Sequence, residues 1–129
     1  MKNFFQYANP RFDKANIDDC YIRALAIALK MNYDEVESIF YKKQIELQSD
    51  LPNRPWVIKA ILQDMGYKYT ETINPLTGTG AMKIYSFLKE NKGMYILESK
   101  GHLCYAENGK VFDTWDSSNK LLKGYWIIN

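Results

Sequence analysis

The sequence predicts an α+β fold in which a helical N-terminal half packs on a C-terminal antiparallel sheet. Apolar residues follow a helical spacing up to about residue 65, and from residue 94 onward they alternate with polar residues. Asn108-Gly109 lies between two alternating runs, and this dipeptide favours the type I′ turn of a β-hairpin. With 129 residues, 47% of them hydrophobic, the chain is predicted to form one domain, 1–129.

Three helices are predicted in the first half, over residues 20–31, 34–47 and 56–65. The first is apolar nearly all round, which is typical of a buried helix. Asn32 begins a capping box with Glu35 at the start of the second helix. Pro55 suits the first turn of the third helix, and Gly66 is expected to end it.

The second half is predicted to hold one helix, 81–91, and a set of strands over residues 67–72, 94–98, 102–107, 110–115 and 125–128. A two-residue turn at Asn108-Gly109 pairs Glu107, the last residue of one strand candidate, with Lys110, the first residue of the next. Counting outward from the turn, Cys104 lies opposite Asp113 and His102 lies opposite Trp115. Because side chains alternate across a strand, one face of the sheet carries a shared set, namely His102, Cys104, Val111, Asp113 and Trp115.

The hairpin count also predicts that a carboxylate meets an imidazole. Asp113 is the diagonal neighbour of His102, about 7 Å away between the backbones, which is within reach of the two side chains. Asp116 is the reserve candidate for this carboxylate, because it follows in the same polar stretch.

Cys20 begins the first predicted helix, and the only histidine of the chain, His102, follows far downstream. A cysteine, a distant histidine and then Asp113 is the order of a thiol nucleophile, its base and the group that orients the base. The first turn of a helix stabilises a thiolate through its free N–H groups and its positive dipole end. The expected oxyanion donors are the Cys20 N–H and an upstream side-chain amide, first Asn16 and second Gln6.

Two carboxylates beside the cysteine argue against a fast nucleophile. Asp18 and Asp19 directly precede Cys20, and their negative charge opposes a thiolate. One of them is expected to cap the helix with its carboxylate, while Arg23 offsets the charge of the other.

Three further residues close to the histidine leave alternatives open. Trp115 is either a plug of the core or a substrate-binding residue. Cys104 is interpreted as part of the core or as a wall of the site, and not as a second nucleophile. Gly101 directly precedes His102 and is expected to permit the close approach of another group.

Composition and charge disfavour several classes of partner. A net charge of +2 with dispersed Lys and Arg predicts no nucleic-acid partner. No segment has the length of a bilayer span, so we expect no membrane partner and a cytoplasmic protein. One histidine and two separated cysteines give no ligand cluster, so neither a metal nor another cofactor is expected and the cysteines are expected to be free thiols. The oligomeric state is left open.

Three segments, 18–26, 101–106 and 111–116, together resemble small papain-like cysteine peptidase domains. Compact single-domain proteins of phage or bacterial origin and the bacteriocin-processing peptidases are similar in layout, with a cysteine helix, further helices and then a sheet. The resemblance implies that Cys20 is the nucleophile, His102 the base and Asp113 the orienting residue. Such enzymes usually carry an oxyanion glutamine several residues before the cysteine, whereas the nearby upstream amide here is Asn16.

Three functions follow from these residues. The first is a thiol-dependent hydrolase that cleaves a peptide or amide bond of a peptide or protein substrate through an acyl-enzyme. The second is a catalytically weak or inactive papain-like scaffold that binds a protein, for example a phage-encoded modulator. The third is a deamidase or acyl transferase that uses the same triad. A hydrolase predicts an accessible Cys20 within hydrogen-bond reach of His102, and a binding scaffold predicts a buried or misaligned Cys20.

Overall fold

A computed structural model describes residues 3–10 and 18–128, and these residues form four helices, a six-stranded sheet and a two-stranded sheet. The helices are α1 (Cys20–Leu29), α2 (Tyr33–Glu46), α3 (Pro55–Asp64) and α4 (Ile84–Glu90). The strands are β1 (Phe5–Tyr7), β2 (Tyr69–Glu71), β3 (Met82–Lys83), β4 (Met94–Ser99), β5 (His102–Glu107), β6 (Lys110–Asp113), β7 (Leu121–Leu122) and β8 (Gly124–Ile127). The predicted α+β class is confirmed.

The helix ends follow local signals in the sequence. Lys30 turns into the left-handed region with φ 54°, so α1 ends two residues before the predicted boundary. Asn32 caps α2 by accepting the Asp34 N–H at 2.8 Å. Pro55 is the first residue of α3, and Gly66 follows the helix with φ +90°, as expected. Within the described residues, no helix has the length and apolar character needed to cross a bilayer.

The main sheet is mixed, whereas a purely antiparallel sheet was predicted. Its strand order is β1-β6-β5-β4-β8-β2, and β1 runs parallel to β6 while the other pairs are antiparallel. Three residues are too few to display an alternating pattern, so β1 could not be predicted from the sequence. The strand forms by pairing with β6, with Phe5 opposite Val111 and the Ala8 N–H donating to the Asp113 carbonyl at 2.8 Å.

The predicted boundaries of several elements in the second half are wrong. Helix α4 begins at residue 84 instead of 81, because β3 pairs with β7 just before it. Strand β2 is shorter than the predicted 67–72, and β8 begins and ends one residue earlier than predicted. Strand β6 ends at Asp113 instead of Trp115. The Asp113 carboxylate accepts the Thr114 N–H at 2.7 Å, a local bond that competes with the strand ladder.

The hairpin between β5 and β6 has the predicted register and turn. Glu107 pairs with Lys110, and the turn residues Asn108 and Gly109 have φ values of 51° and 82°. Positive φ at both central residues is what a type I′ turn requires. This register sets which side chains of the two strands share a face.

The six-stranded sheet carries an apolar cluster on each face. Helices α1 to α3 cover one face, packing on Ile96, Leu103, Tyr105 and Trp126. Helix α4 covers the other face, packing on Leu97, Cys104, Ala106 and Val111. Adjacent strand residues thus join different clusters, as alternation demands. Helix α1 lies mainly along β5, and this packing sets the helix start that carries Cys20 beside the sheet.

Candidate active site

Three elements that are distant in the chain bring Cys20, His102 and Asp113 together. Cys20 is the first residue of α1, His102 the first of β5 and Asp113 the last of β6. The His102 Nε2 atom lies 2.6 Å from Asp113 Oδ2, and both side chains are buried, so the predicted meeting of carboxylate and imidazole is confirmed. Because Asp113 engages Nε2, only Nδ1 of the ring remains for a further partner, and Cys20 is close enough to raise the pKa of His102.

A tight turn starts β5 at the histidine. Ser99 pairs directly with His102, so only Lys100 and Gly101 connect β4 to β5. Gly101 has φ +68°, a conformation that a residue with a Cβ adopts at a cost. The space around its missing Cβ is open, and Gly101 lines the cleft, so the close approach of another group stays a prediction. The glycine supplies the backbone conformation that places His102 at the strand start.

The surroundings of His102 favour its protonated form. Burial lowers the pKa of His102, but hydrogen bonds to Asp113 and Cys20 and their negative charges outweigh burial and raise it from 6.5 to about 9. The ring is therefore an imidazolium at neutral pH.

The raised pKa of His102 makes the stability of the fold depend on pH. A group with a higher pKa in the folded than in the unfolded state stabilises the fold below its unfolded pKa. We expect His102 to contribute at most about 3 kcal/mol below pH 6.5 and to lose this contribution as the pH rises through about 9. Urea unfolding of the wild type and of His102→Gln checks this, and their difference should shrink at high pH. An unchanged difference would mean that His102 is neutral in the fold.

Asp19 occupies the N-cap position of α1, but its side chain makes no cap bond. Its carboxylate instead forms an ion pair with Arg23 and accepts the Tyr33 hydroxyl at 2.8 Å. The Arg23 guanidinium also lies 3.8 Å from Asp113 Oδ1. Arg23 therefore offsets the charge of Asp19, and the expected carboxylate cap is wrong for this residue because the buried cation attracts it. Asp18 is exposed and has φ 36°.

The start of α1 offers backbone donors close to the thiol. Ile22 and Arg23 donate the first backbone bonds of the helix, both to the Asp19 carbonyl at 3.0 Å. The N–H groups of Cys20 and Tyr21 come before these bonds, in the first turn of the helix, where N–H groups have no acceptor within the helix. Asn16 lies outside the described residues, so its oxyanion role stays a prediction. The reserve amide, Gln6, is on the exposed edge strand β1.

Cys20 and His102 line one open cleft of about 190 Å³, and Cys20 is half-buried. The cleft also exposes several residues that the sequence interpretation missed, among them Asn53, Ser99 and Lys123. Asn53 comes from the connection between α2 and α3, and Lys123 from the segment between β7 and β8. No local pattern singles these residues out. Asn53 does lie in a proline-flanked break, which is a typical place for a loop residue.

Trp115 lies beyond the end of β6 and packs against the histidine. Its ring centroid is 4.6 Å from that of His102, with an interplanar angle of 45°. Since 41% of Trp115 is exposed, it is not a plug of the core. It covers His102 on one side, and direct contact with substrate stays a prediction.

Cys104 completes a cluster of possible metal ligands. The donor atoms of His102, Cys104 and Asp113 lie within 4.8 Å of one another. Burial raises the pKa of the Cys104 thiol far above its ordinary value, and the charge of Asp113 raises it further. A thiolate ligand is therefore costly here, and the other two donors already bond each other. The cluster fits a histidine–carboxylate pair over a buried thiol better than a metal centre.

Comparison of the chain with protein-family models, with curated proteins and with solved structures finds no significant match. The function of the site is therefore inferred from its own geometry and chemistry.

Proposed function

We propose that this protein is a thiol-dependent hydrolase of peptide or amide bonds with a papain-like layout of its active site. The observation that carries the proposal is His102, which bonds Asp113 through one ring nitrogen and meets Cys20 in an open cleft. An inactive binding scaffold predicted a buried or misaligned Cys20. A half-buried cysteine that lines the same cleft as the histidine and raises its pKa supports the hydrolase instead.

The proposed reaction has two stages. The Cys20 sulfur attacks the substrate carbonyl while its proton rests on His102, and the resulting oxyanion accepts hydrogen bonds from backbone N–H groups at the start of α1. The tetrahedral intermediate collapses as His102 gives its proton to the leaving amine, which leaves a thioester on Cys20. Water, deprotonated by His102, then releases the acid and regenerates the thiol. Asp113 holds the ring orientation and stabilises the imidazolium.

A deamidase or acyl transferase would use the same three residues, differing in the amide attacked or in the acceptor of the acyl group. A catalytic thiol works only while it is reduced, so this proposal agrees with the cytoplasmic location expected from the sequence.

Alkylation of Cys20 tests the proposal without knowledge of the substrate. We expect iodoacetamide to label Cys20 near neutral pH about tenfold faster than an unperturbed thiol, and His102→Ala to remove this excess. The imidazolium is the reason, since it stabilises the thiolate that reacts. Labelling is followed by peptide mass spectrometry as a function of time.

Cys104 is the internal control in the same experiment, because it is 2% exposed and burial raises its pKa. It should stay unlabelled in the folded protein and react on denaturation. Labelling of Cys20 at the rate of an ordinary thiol, with no effect of His102→Ala, would overturn the hydrolase proposal.

A further inference from the structure

A second groove adjoins the candidate active site. It has a volume of about 510 Å³ and is lined by the loop residues Gly78 and Gly80, by Leu121, and by the lysines Lys100, Lys120 and Lys123. Lys123 lines both this groove and the cleft that holds Cys20 and His102. The two spaces are therefore neighbours, and one extended ligand can occupy both.

The lysines come from different parts of the chain. Lys100 is in the turn between β4 and β5, one residue from Gly101, and Lys120 directly precedes β7. Lys123 lies between β7 and β8. The 78–80 segment also lines the groove, and Gly80 is so close to the Leu122 carbonyl that a Cβ would lie 2.4 Å from its oxygen. The groove is thus held together by the pairing of distant segments.

The positive charge of the groove is not neutralised locally. No carboxylate lines it, and among the described residues no Asp or Glu oxygen lies within 4.0 Å of any of its three ammonium groups. Lys120 donates one bond to the Lys100 carbonyl at 3.0 Å and keeps two further donors. Elsewhere on the surface, Lys43 and Arg54 are both paired with carboxylates. Glu98 in the adjoining cleft accepts the Tyr69 hydroxyl at 2.6 Å.

We propose that this groove, the lysine groove, binds anionic side chains of the substrate next to the bond that Cys20 attacks. The inference rests on the proposed function and specifies its substrate as an acidic peptide segment. Three unpaired ammonium groups along an open channel complement a run of Asp or Glu carboxylates. The partly exposed Leu121 offers apolar surface to the methylene groups of those side chains. The groove adjoins a site for acyl chemistry, and this favours a peptide over a nucleic acid.

Peptide binding to the full chain with Cys20→Ala tests the lysine groove, since this variant has no nucleophile at residue 20 and cannot form an acyl-enzyme. Three fluorescein-labelled octapeptides differ only in a central triplet of Glu, Gln or Lys, and fluorescence anisotropy measures their binding. We expect the Glu peptide to bind about tenfold tighter than the Gln peptide, and high salt to remove the difference. Lys100→Gln, Lys120→Gln and Lys123→Gln combined should abolish the preference.

The matched control replaces three exposed lysines outside the groove by glutamine, Lys30, Lys42 and Lys89, and so has the same net charge. It should keep the preference for the Glu peptide. Equal binding of the Glu and Gln peptides, or an equal loss in the control variant, would refute the lysine groove. An oligothymidylate that binds tighter than the Glu peptide and competes with it would assign the groove to nucleic acid and refute it as well. Iodoacetamide labelling of the wild type reports the triad separately, so failure of one proposal does not conceal failure of the other.

Discussion

Asp113→Asn is expected to lower the pKa of His102 from about 9. The Asp113 hydrogen bond is the largest of the influences that raise this pKa, and without it the burial of the ring, which lowers the pKa, is opposed only by Cys20. Near neutral pH a larger fraction of the rings is then neutral. We expect the alkylation of Cys20 to slow by about 10- to 100-fold and amide hydrolysis to slow by about 10²- to 10⁴-fold.

Nuclear magnetic resonance measures this pKa directly, because the chain contains a single histidine whose ring signals need no further assignment. The control is Asp116→Asn, at the residue that was the reserve candidate for the orienting carboxylate. Asp116 is exposed and accepts the Ser118 N–H at 3.0 Å and the Ser118 hydroxyl at 2.6 Å, so its loss should leave His102 unchanged. A histidine in Asp113→Asn that still titrates near pH 9 would exclude Asp113 as the orienting residue.

Arg23→Met is expected to cause the largest loss of stability. Arg23 is 4% exposed and pairs with Asp19, so its removal leaves the buried Asp19 carboxylate without its cation. It also takes away a second cation 3.8 Å from Asp113, which keeps its bond to His102. Breaking a buried ion pair by deleting one partner costs about 3 to 5 kcal/mol, because the remaining charge is desolvated without compensation. We expect a decrease of this size in the free energy of unfolding, measured by urea denaturation at neutral pH.

Arg54→Met is the matched control, because Arg54 is also paired with a carboxylate, Asp50, but at the surface. Its loss should be much smaller, since water and salt screen an exposed pair. Adding Asp19→Asn to Arg23→Met should recover part of the stability by removing one uncompensated charge. If Arg23→Met were no more destabilising than Arg54→Met, the charges at the start of α1 would not stabilise the fold.

The meeting of His102 and Asp113 could be predicted because it depends on local rules. The Asn-Gly turn sets the register of one hairpin, and alternation then sets which side chains share a face. Both rules act over about a dozen residues, so a single sequence suffices to apply them. The end of β6 was missed because a side chain, the Asp113 carboxylate, competes with the strand for the next N–H.

The partners of Cys20 in the cleft could not be predicted in the same way. Asn53 and Lys123 enter the cleft from connections whose paths depend on how the helices and the sheet pack. Likewise, β1 exists only because β6 offers it a free edge. The sequence also could not show whether the Asp19 carboxylate caps α1 or forms an ion pair. The outcome depends on where the fold places Arg23 and Tyr33, the two partners of this carboxylate.

By itself, the sequence determined the α+β class and the hairpin register that brings His102 and Asp113 together, and it singled out Cys20 as the candidate nucleophile. Only the tertiary structure decided that Cys20 meets His102, that Arg23 neutralises the neighbouring carboxylate, and that lysines dispersed in the chain line one groove. The physical reason is how far apart along the chain the interacting residues lie. Turn type and side-chain alternation depend on adjacent residues, whereas the packing of α1 on β5 and the course of the loops result from the burial of the whole core.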